Sequence, residues 1–151
     1  MEVYPLSSGQ LSMLYHHLVY PKSYGNYEMQ HFVLSGKIHE SILRDAWRSV
    51  YVRYPILRTC IRWNEQNEPI QIIDKTIPDI TIVKVDKLPF LSRKFRTEKL
   101  KRYRVNIATQ IFTVNIWLHG NSADMFIHTH HMIYDGWSTS ILIRFFANEY
   151  Q

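Results

Sequence analysis

Apolar and polar side chains alternate from Asp124 to His131. Met125, Ile127, Thr129 and His131 fall on one side and Asp124, Phe126, His128 and His130 on the other. That period of two is the period of a strand, and it sends His130 and His131 to opposite faces. After Gly136 the pattern changes, with Ile141, Leu142, Phe145, Phe146 and Tyr150 recurring at helical spacing. Asp135-Gly136 therefore turns a strand into a helix, and His131 stands at the strand's exit. The positive N-terminal end of the helix points toward the same place.

The same patterning divides the rest of the chain. Leu11, Leu14, Tyr15 and Leu18 form an i, i+3, i+4, i+7 stripe, and Ser7 and Gln10 stand at capping-box spacing before it. Pro21 to Asn26 reads as a loop, and Met29 to Leu34 as a short strand closed by Ser35-Gly36. Ile38, Ile42, Leu43, Ala46, Trp47, Val50 and Tyr54 hold one helical face until Pro55 ends it. Leu57 to Trp63, Pro69 to Ile73 and Ile80 to Val85 read as strands, with a turn over Asn64 to Glu68. A basic helix is expected at about Phe90 to Arg104. Ile111 to Leu118 alternates again, and a turn at Asn121-Ser122 leads into the histidine strand as a hairpin. The predicted order is α-β-α-β-β-β-α-β-β-α. It describes an α/β two-layer sandwich with a mixed or antiparallel sheet, in one domain over residues 1–151 without repeats or linker.

Composition narrows the function classes. With 46% apolar and 21% charged residues the chain can bury a real core, and no stretch is long and apolar enough to span a bilayer. The single cysteine, Cys60, rules out an internal disulfide and suits a reducing, cytoplasmic setting, where it reads as a small buried hydrophobe. Part of the net charge of +5 is crowded between Arg93 and Arg104. Phe95 and Tyr103 fit the buried stripe of a helix better than stacking platforms for bases, so neither nucleic acid nor membrane is an expected partner. A basic surface of this kind can help dock an acidic protein domain.

Three segments carry a family resemblance. His130-His131-Met132-Ile133-Tyr134-Asp135-Gly136 resembles the His-His-x-x-x-Asp-Gly motif of the condensation domains of nonribosomal peptide synthetases, within the chloramphenicol acetyltransferase-like superfamily. Ser7-Ser8-Gly9-Gln10-Leu11-Ser12-Met13 is similar to the family's opening Ser-x-Ala-Gln-x-Arg-Met, with Gly9 replacing alanine and Ser12 replacing arginine. Arg53-Tyr54-Pro55-Ile56-Leu57-Arg58-Thr59 is similar to Arg-His-Glu-x-Leu-Arg-Thr, with Tyr54 and Pro55 in place of His-Glu. The resemblance runs over nearly the whole chain and corresponds to the N-terminal lobe of the family's domain. A second lobe would supply the other wall of the substrate tunnel.

The resemblance implies amide formation, in which the amine of one carrier-bound substrate attacks the acyl thioester of another. No cofactor is implied on the lobe itself, because the substrates ride on the phosphopantetheine arms of peptidyl or acyl carrier proteins. An imidazole suits the task, since its reference pKa of about 6.5 lies near working pH. His131 is the expected base or positioning group, and the backbone N–H of Gly136 an oxyanion donor. Asp135 and Arg58 are expected as a structural pair bracing the loop, and His130 as a core histidine. Trp137 and Ser138 continue the motif, as channel wall or, for Trp137, as core packing.

Rival readings differ in what they require. A metal site would draw on His119, His128, His130 and Asp124, but no cysteine pair or His-Glu-x-x-His helix accompanies them. An epimerisation domain shares the histidine motif, while a heterocyclisation domain would carry aspartates at positions 130 and 131. A discrete acyltransferase using coenzyme A or a carrier thioester is the nearest enzymatic alternative. A non-catalytic docking fragment for carrier proteins is the non-enzymatic one. Self-association as a homo-oligomer is the route by which a lone lobe would wall its own cleft.

Overall fold

The computed structural model describes residues 1–85 and 104–151. The basic helix expected at Phe90 to Arg104 falls almost wholly outside the described residues. Within them, β1 (Glu2–Pro5), α1 (Ser8–Val19), β2 (Tyr27–Ser35) and α2 (Glu40–Arg53) are followed by a 3-10 turn, Pro55–Arg58. Then come β3 (Thr59–Trp63), β4 (Pro69–Ile73), β5 (Thr81–Lys84), β6 (Phe112–His119), β7 (Ser122–His130) and α3 (Gly136–Tyr150).

The strands form two sheets. The smaller is antiparallel in the order β1-β4-β3, and the larger runs β2-β7-β6-β5. In the larger sheet β5 is parallel to β6 and the other pairs are antiparallel, so the expected mixed sheet is present. Strand β1 was not expected. Its four residues are all exposed, so no alternation of buried side chains marks it, and only its pairing with β4 makes it a strand.

Helices α2 and α3 pack on one face of the larger sheet. Leu43, Trp47, Val50 and Tyr51 of α2 meet Leu142 and Phe146 of α3 over Phe112, Val114, Ile116, Met125 and Ile127. Each fully buried side chain of this size contributes about 1.5–3 kcal/mol of hydrophobic free energy. A second cluster joins Leu6, Leu14, Ile61, Ile107, Ile111 and Met132 under α1. The Ser7–Gln10 capping box forms as spaced: Gln10 N–H donates to Ser7 Oγ at 3.3 Å and Ser7 N–H to Gln10 Oε1 at 2.8 Å. The stripe on α1 is only partly used, because Leu14 is buried while Leu11, Tyr15 and Leu18 stay exposed. The narrow second cluster takes one row of that helix, not its whole apolar face.

The hairpin joining β6 to β7 turns one residue earlier than expected. His119 pairs with Ser122, so Gly120 and Asn121 make the turn, and Gly120 takes a φ of +55° that glycine adopts without steric cost. This hairpin aims the end of β7 at the junction of the two hydrophobic clusters.

Candidate functional site

Beyond β7 the chain enters a short loop whose apolar residues anchor it on both sides. Met132 is buried in the cluster under α1, Tyr134 in the cluster under α2 and α3, and Ile133 packs against both. His131 stands at the start of this loop with its backbone N–H donated to Asn26 O at 2.9 Å. Its ring therefore sits on a segment pinned at each neighbour, while the side chain itself is 33% exposed.

Both ring nitrogens of His131 have an oxygen neighbour. Nδ1 donates to Tyr134 O at 3.2 Å, which leaves Nε2 as the nitrogen not bonded to backbone. Nε2 lies 3.1 Å from Oε1 of Glu28 on β2. Nothing along the sequence marks Glu28 as a site residue. It sits opposite Thr129 in the β2–β7 ladder, close to the histidines, and only that register brings it to His131.

His130 turns the other way and is fully buried, as expected of a core histidine. Its Nδ1 accepts the backbone N–H of Met132 at 3.2 Å, and its ring meets Tyr27 edge-on at 4.7 Å. Burial is the main cause, with nearby His17 adding to it, that pushes the imidazole down to about 4. It is neutral at physiological pH. Its Nε2 is buried without a hydrogen-bond partner.

The expected Arg58–Asp135 pair does not form. Asp135 is the N-cap of α3, and its Oδ1 accepts from Ser138 N at 2.9 Å and Ser138 Oγ at 2.7 Å. Those bonds hold its carboxyl below the ordinary range. Arg58 ends the 3-10 turn and donates instead to the carbonyls of Asp74 at 2.7 Å and Lys75 at 3.2 Å, just past β4. Each side chain has found a nearer partner. A local cap and a backbone clamp replace the long-range ion pair.

The loop's cross-brace is Tyr134. Its hydroxyl lies 2.9 Å from Gln30 Oε1 on β2 and 2.8 Å from Thr139 Oγ1 on α3, and Gln30 Nε2 donates to the same Thr139 oxygen at 2.7 Å. Tyr134 occupies one of the three spacer positions of the motif, which by themselves carry no chemistry.

Gly136 opens α3, where the first N–H groups have no intrahelical acceptor. Its φ is not in the left-handed region, and a Cβ placed on it would meet nothing within 4 Å. Nothing within this chain demands glycine there. Trp137 is 86% exposed, so it is not core packing. Ser138 lines an apolar groove of about 150 Å³ with Tyr54, Ile56, Ile133, Tyr134 and Ile141, running alongside the helix start.

Two of the residues weighed as metal ligands, His119 and Asp124, are engaged with each other. Asp124, almost fully buried, accepts from His119 Nε2 at 2.6 Å and from His31 Nε2, and Ser122 Oγ meets His119 Nδ1 at 3.1 Å. This network lies at the far end of β7 from His131. Among the described residues no group of three or more His, Cys, Asp or Glu is arranged to hold a metal ion. No helix among them is long and apolar enough to cross a membrane.

Comparison with known proteins agrees with the fold. The family model of the condensation domain matches residues 1–151. A linear gramicidin synthase of Brevibacillus parabrevis is 30% identical over 94% of this chain, which spans 3% of that protein. A plipastatin synthase of Bacillus subtilis is 26% identical over 99% of the chain, which spans 6% of it. Among solved structures, a variant of the starter condensation domain of the rhizomide synthetase superposes with a TM-score of 0.83 at 18% identity, covering 99% of this chain and 37% of that one. The condensation domain of the monacolin K polyketide synthase gives 0.82 at 19% identity, covering 99% and 34%.

Proposed function

The chain belongs to the condensation domain family, and on that premise we propose that its His131 site forms amide bonds in nonribosomal peptide synthesis. The amine of one carrier-bound substrate attacks the acyl thioester of another, each delivered on the phosphopantetheine arm of a carrier protein. The observation that carries this reading is the orientation of His131. With Nδ1 committed to the carbonyl of Tyr134, Nε2 is the nitrogen left to aim the amine or take its proton. The tautomer and ring angle are set by backbone, so little reorganisation is needed when substrate arrives.

The start of α3 lies five residues on from His131, and the N–H of Gly136 is assigned to the oxyanion of the tetrahedral intermediate. One well-aimed donor of this kind stabilises the transition state by about 3 kcal/mol. The absence of any internal clash at Gly136 supports a role for the open space above it, where the acyl carbonyl would approach. This chain spans 37% of one solved condensation domain chain and 34% of another. We assign it the histidine-bearing wall of the tunnel and assign the facing wall to a second lobe, without which turnover is expected to be absent.

The test is amide formation between two loaded carrier proteins, catalysed by this lobe joined to a second lobe. His131→Ala is expected to lower the rate by about 10²-fold or more, with the fold intact. Full activity in that variant would remove His131 from the mechanism.

A further inference from the structure

We infer that Glu28 receives the ammonium group of the acceptor substrate and holds it against Nε2 of His131, which takes its proton, an inference that rests on the amide-forming reading of the His131 site. Protonated, His131 would donate from both ring nitrogens, to Tyr134 O and to Glu28 Oε1, and the pair would close on itself; neutral, the form that can accept a proton, it is chemically incomplete. In the neutral tautomer that donates Nδ1–H to Tyr134 O, the lone pair of Nε2 faces the carboxylate Oε1 of Glu28 at 3.1 Å. Two acceptors then oppose each other across one hydrogen-bond length. The second carboxylate oxygen, Oε2, is buried and has no hydrogen-bond partner. No lysine or arginine among the described residues forms an ion pair with Glu28.

What completes such a pair is a cation that carries several N–H donors on one atom. An ammonium group does this, giving one N–H to Nε2 and another to the carboxylate. An α-amino group, with a reference pKa of about 8, arrives mostly as the ammonium ion at neutral pH and cannot attack until it loses a proton. Glu28 and His131 are 29% and 33% exposed at their side chains, open enough to be reached and sheltered enough for charge to be felt. Glu28 is on β2 and His131 directly follows β7, with its backbone N–H bonded to Asn26 O just before β2, so their spacing is held by the β2–β7 ladder and that one further backbone bond.

In the first step the ammonium gives one proton to Nε2, leaving a neutral amine and an imidazolium beside the Glu28 carboxylate. The amine's lone pair forms the N–C bond at the thioester carbonyl, whose π electrons move to oxygen. Collapse breaks the C–S bond, the departing thiolate takes the surplus proton from nitrogen, and the imidazolium returns its proton to solvent.

The experiment is an NMR titration of this chain with glycinamide, which carries the ammonium, and with N-acetylglycinamide, which does not. Glycinamide is expected to shift the signals of Glu28, Thr129 and His131 saturably, and the acetylated probe is expected not to. Glu28→Gln, close in shape but uncharged, should weaken glycinamide binding at least fivefold, and Glu28→Asp, which keeps the charge on a shorter arm, should weaken it less. Unchanged affinity in Glu28→Gln, equal response to both probes, or no saturable shift in the wild-type chain would overturn the inference. The two ideas fail separately. If Glu28→Gln binds normally while His131→Ala is inactive, the ammonium site falls and the amide-forming reading stands. If Glu28→Gln binds weakly while His131→Ala keeps full activity, the reverse holds.

Discussion

The hydroxyl of Tyr134 lies 2.9 Å from Oε1 of Gln30, tying the loop that follows His131 to the strand that carries Glu28. The same hydroxyl reaches Thr139 on α3, so one side chain fixes the loop between sheet and helix. Burial raises the phenol above its ordinary value, so it remains a donor throughout the physiological range. Tyr134→Phe keeps the ring in the core and removes only these bonds. The expected cost is about 1–2 kcal/mol in urea unfolding, the usual penalty when a buried acceptor loses its donor. Amide-forming activity should fall as well, because Tyr134 also supplies the carbonyl that orients His131. An unchanged unfolding midpoint would show that the brace is not needed.

Arg58 and Asp135 should behave as independent positions. Arg58→Ala frees the carbonyls of Asp74 and Lys75, and Asp135→Ala uncaps α3. Each variant is expected to lower the melting temperature, and the double variant to lower it by the sum. A non-additive double-mutant cycle would mean that the two side chains pair in solution after all.

His130 makes stability depend on pH in a defined direction. The folded imidazole resists protonation until about pH 4, whereas an unfolded one titrates near 6.5. Between those values the unfolded chain binds a proton that the folded chain refuses. The contribution is therefore fully present above about pH 6.5 and is lost as the pH falls toward 4. The loss is on the order of 3 kcal/mol, from about 1.4 kcal/mol for each tenfold change in proton affinity. Unfolding free energies measured from pH 7 to 4 should fall more steeply for the wild-type chain than for His130→Gln. Parallel curves would place this pH dependence elsewhere.

Gly136→Ala separates structure from catalysis. Its added methyl group meets nothing within 4 Å in this chain, and its backbone angle is one that alanine adopts freely. Stability is expected to hold or to rise by up to about 1 kcal/mol, since glycine is the poorer helix former. Activity is expected to fall if the acyl carbonyl passes over that position. Equal activity in both forms would leave the glycine without a catalytic reason.

The sequence by itself determined the elements and their order wherever a regular period of apolar and polar positions runs along the chain. The alternation in β6 and β7 and the periodic faces of α2 and α3 are legible because the period along the chain reports which side chains share a face, although β7 is buried on both of its faces. The opposite fates of His130 and His131 follow from that same period of two, and the Ser7–Gln10 cap from a spacing of three. Where those local signals are missing, the sequence is silent or misleading. Strand β1 buries nothing, so only its partner β4 makes it a strand. Arg58 and Asp135 attract on paper, but each had a hydrogen-bond partner closer to hand, and local geometry forms without the chain entropy of a distant pairing. Glu28 and Gln30 are ordinary polar residues of a strand until the β2–β7 register sets one beside His131 and the other beneath Tyr134. Tertiary structure decided those contacts because they join residues about a hundred positions apart, and no periodicity along a chain records which distant strand will lie alongside.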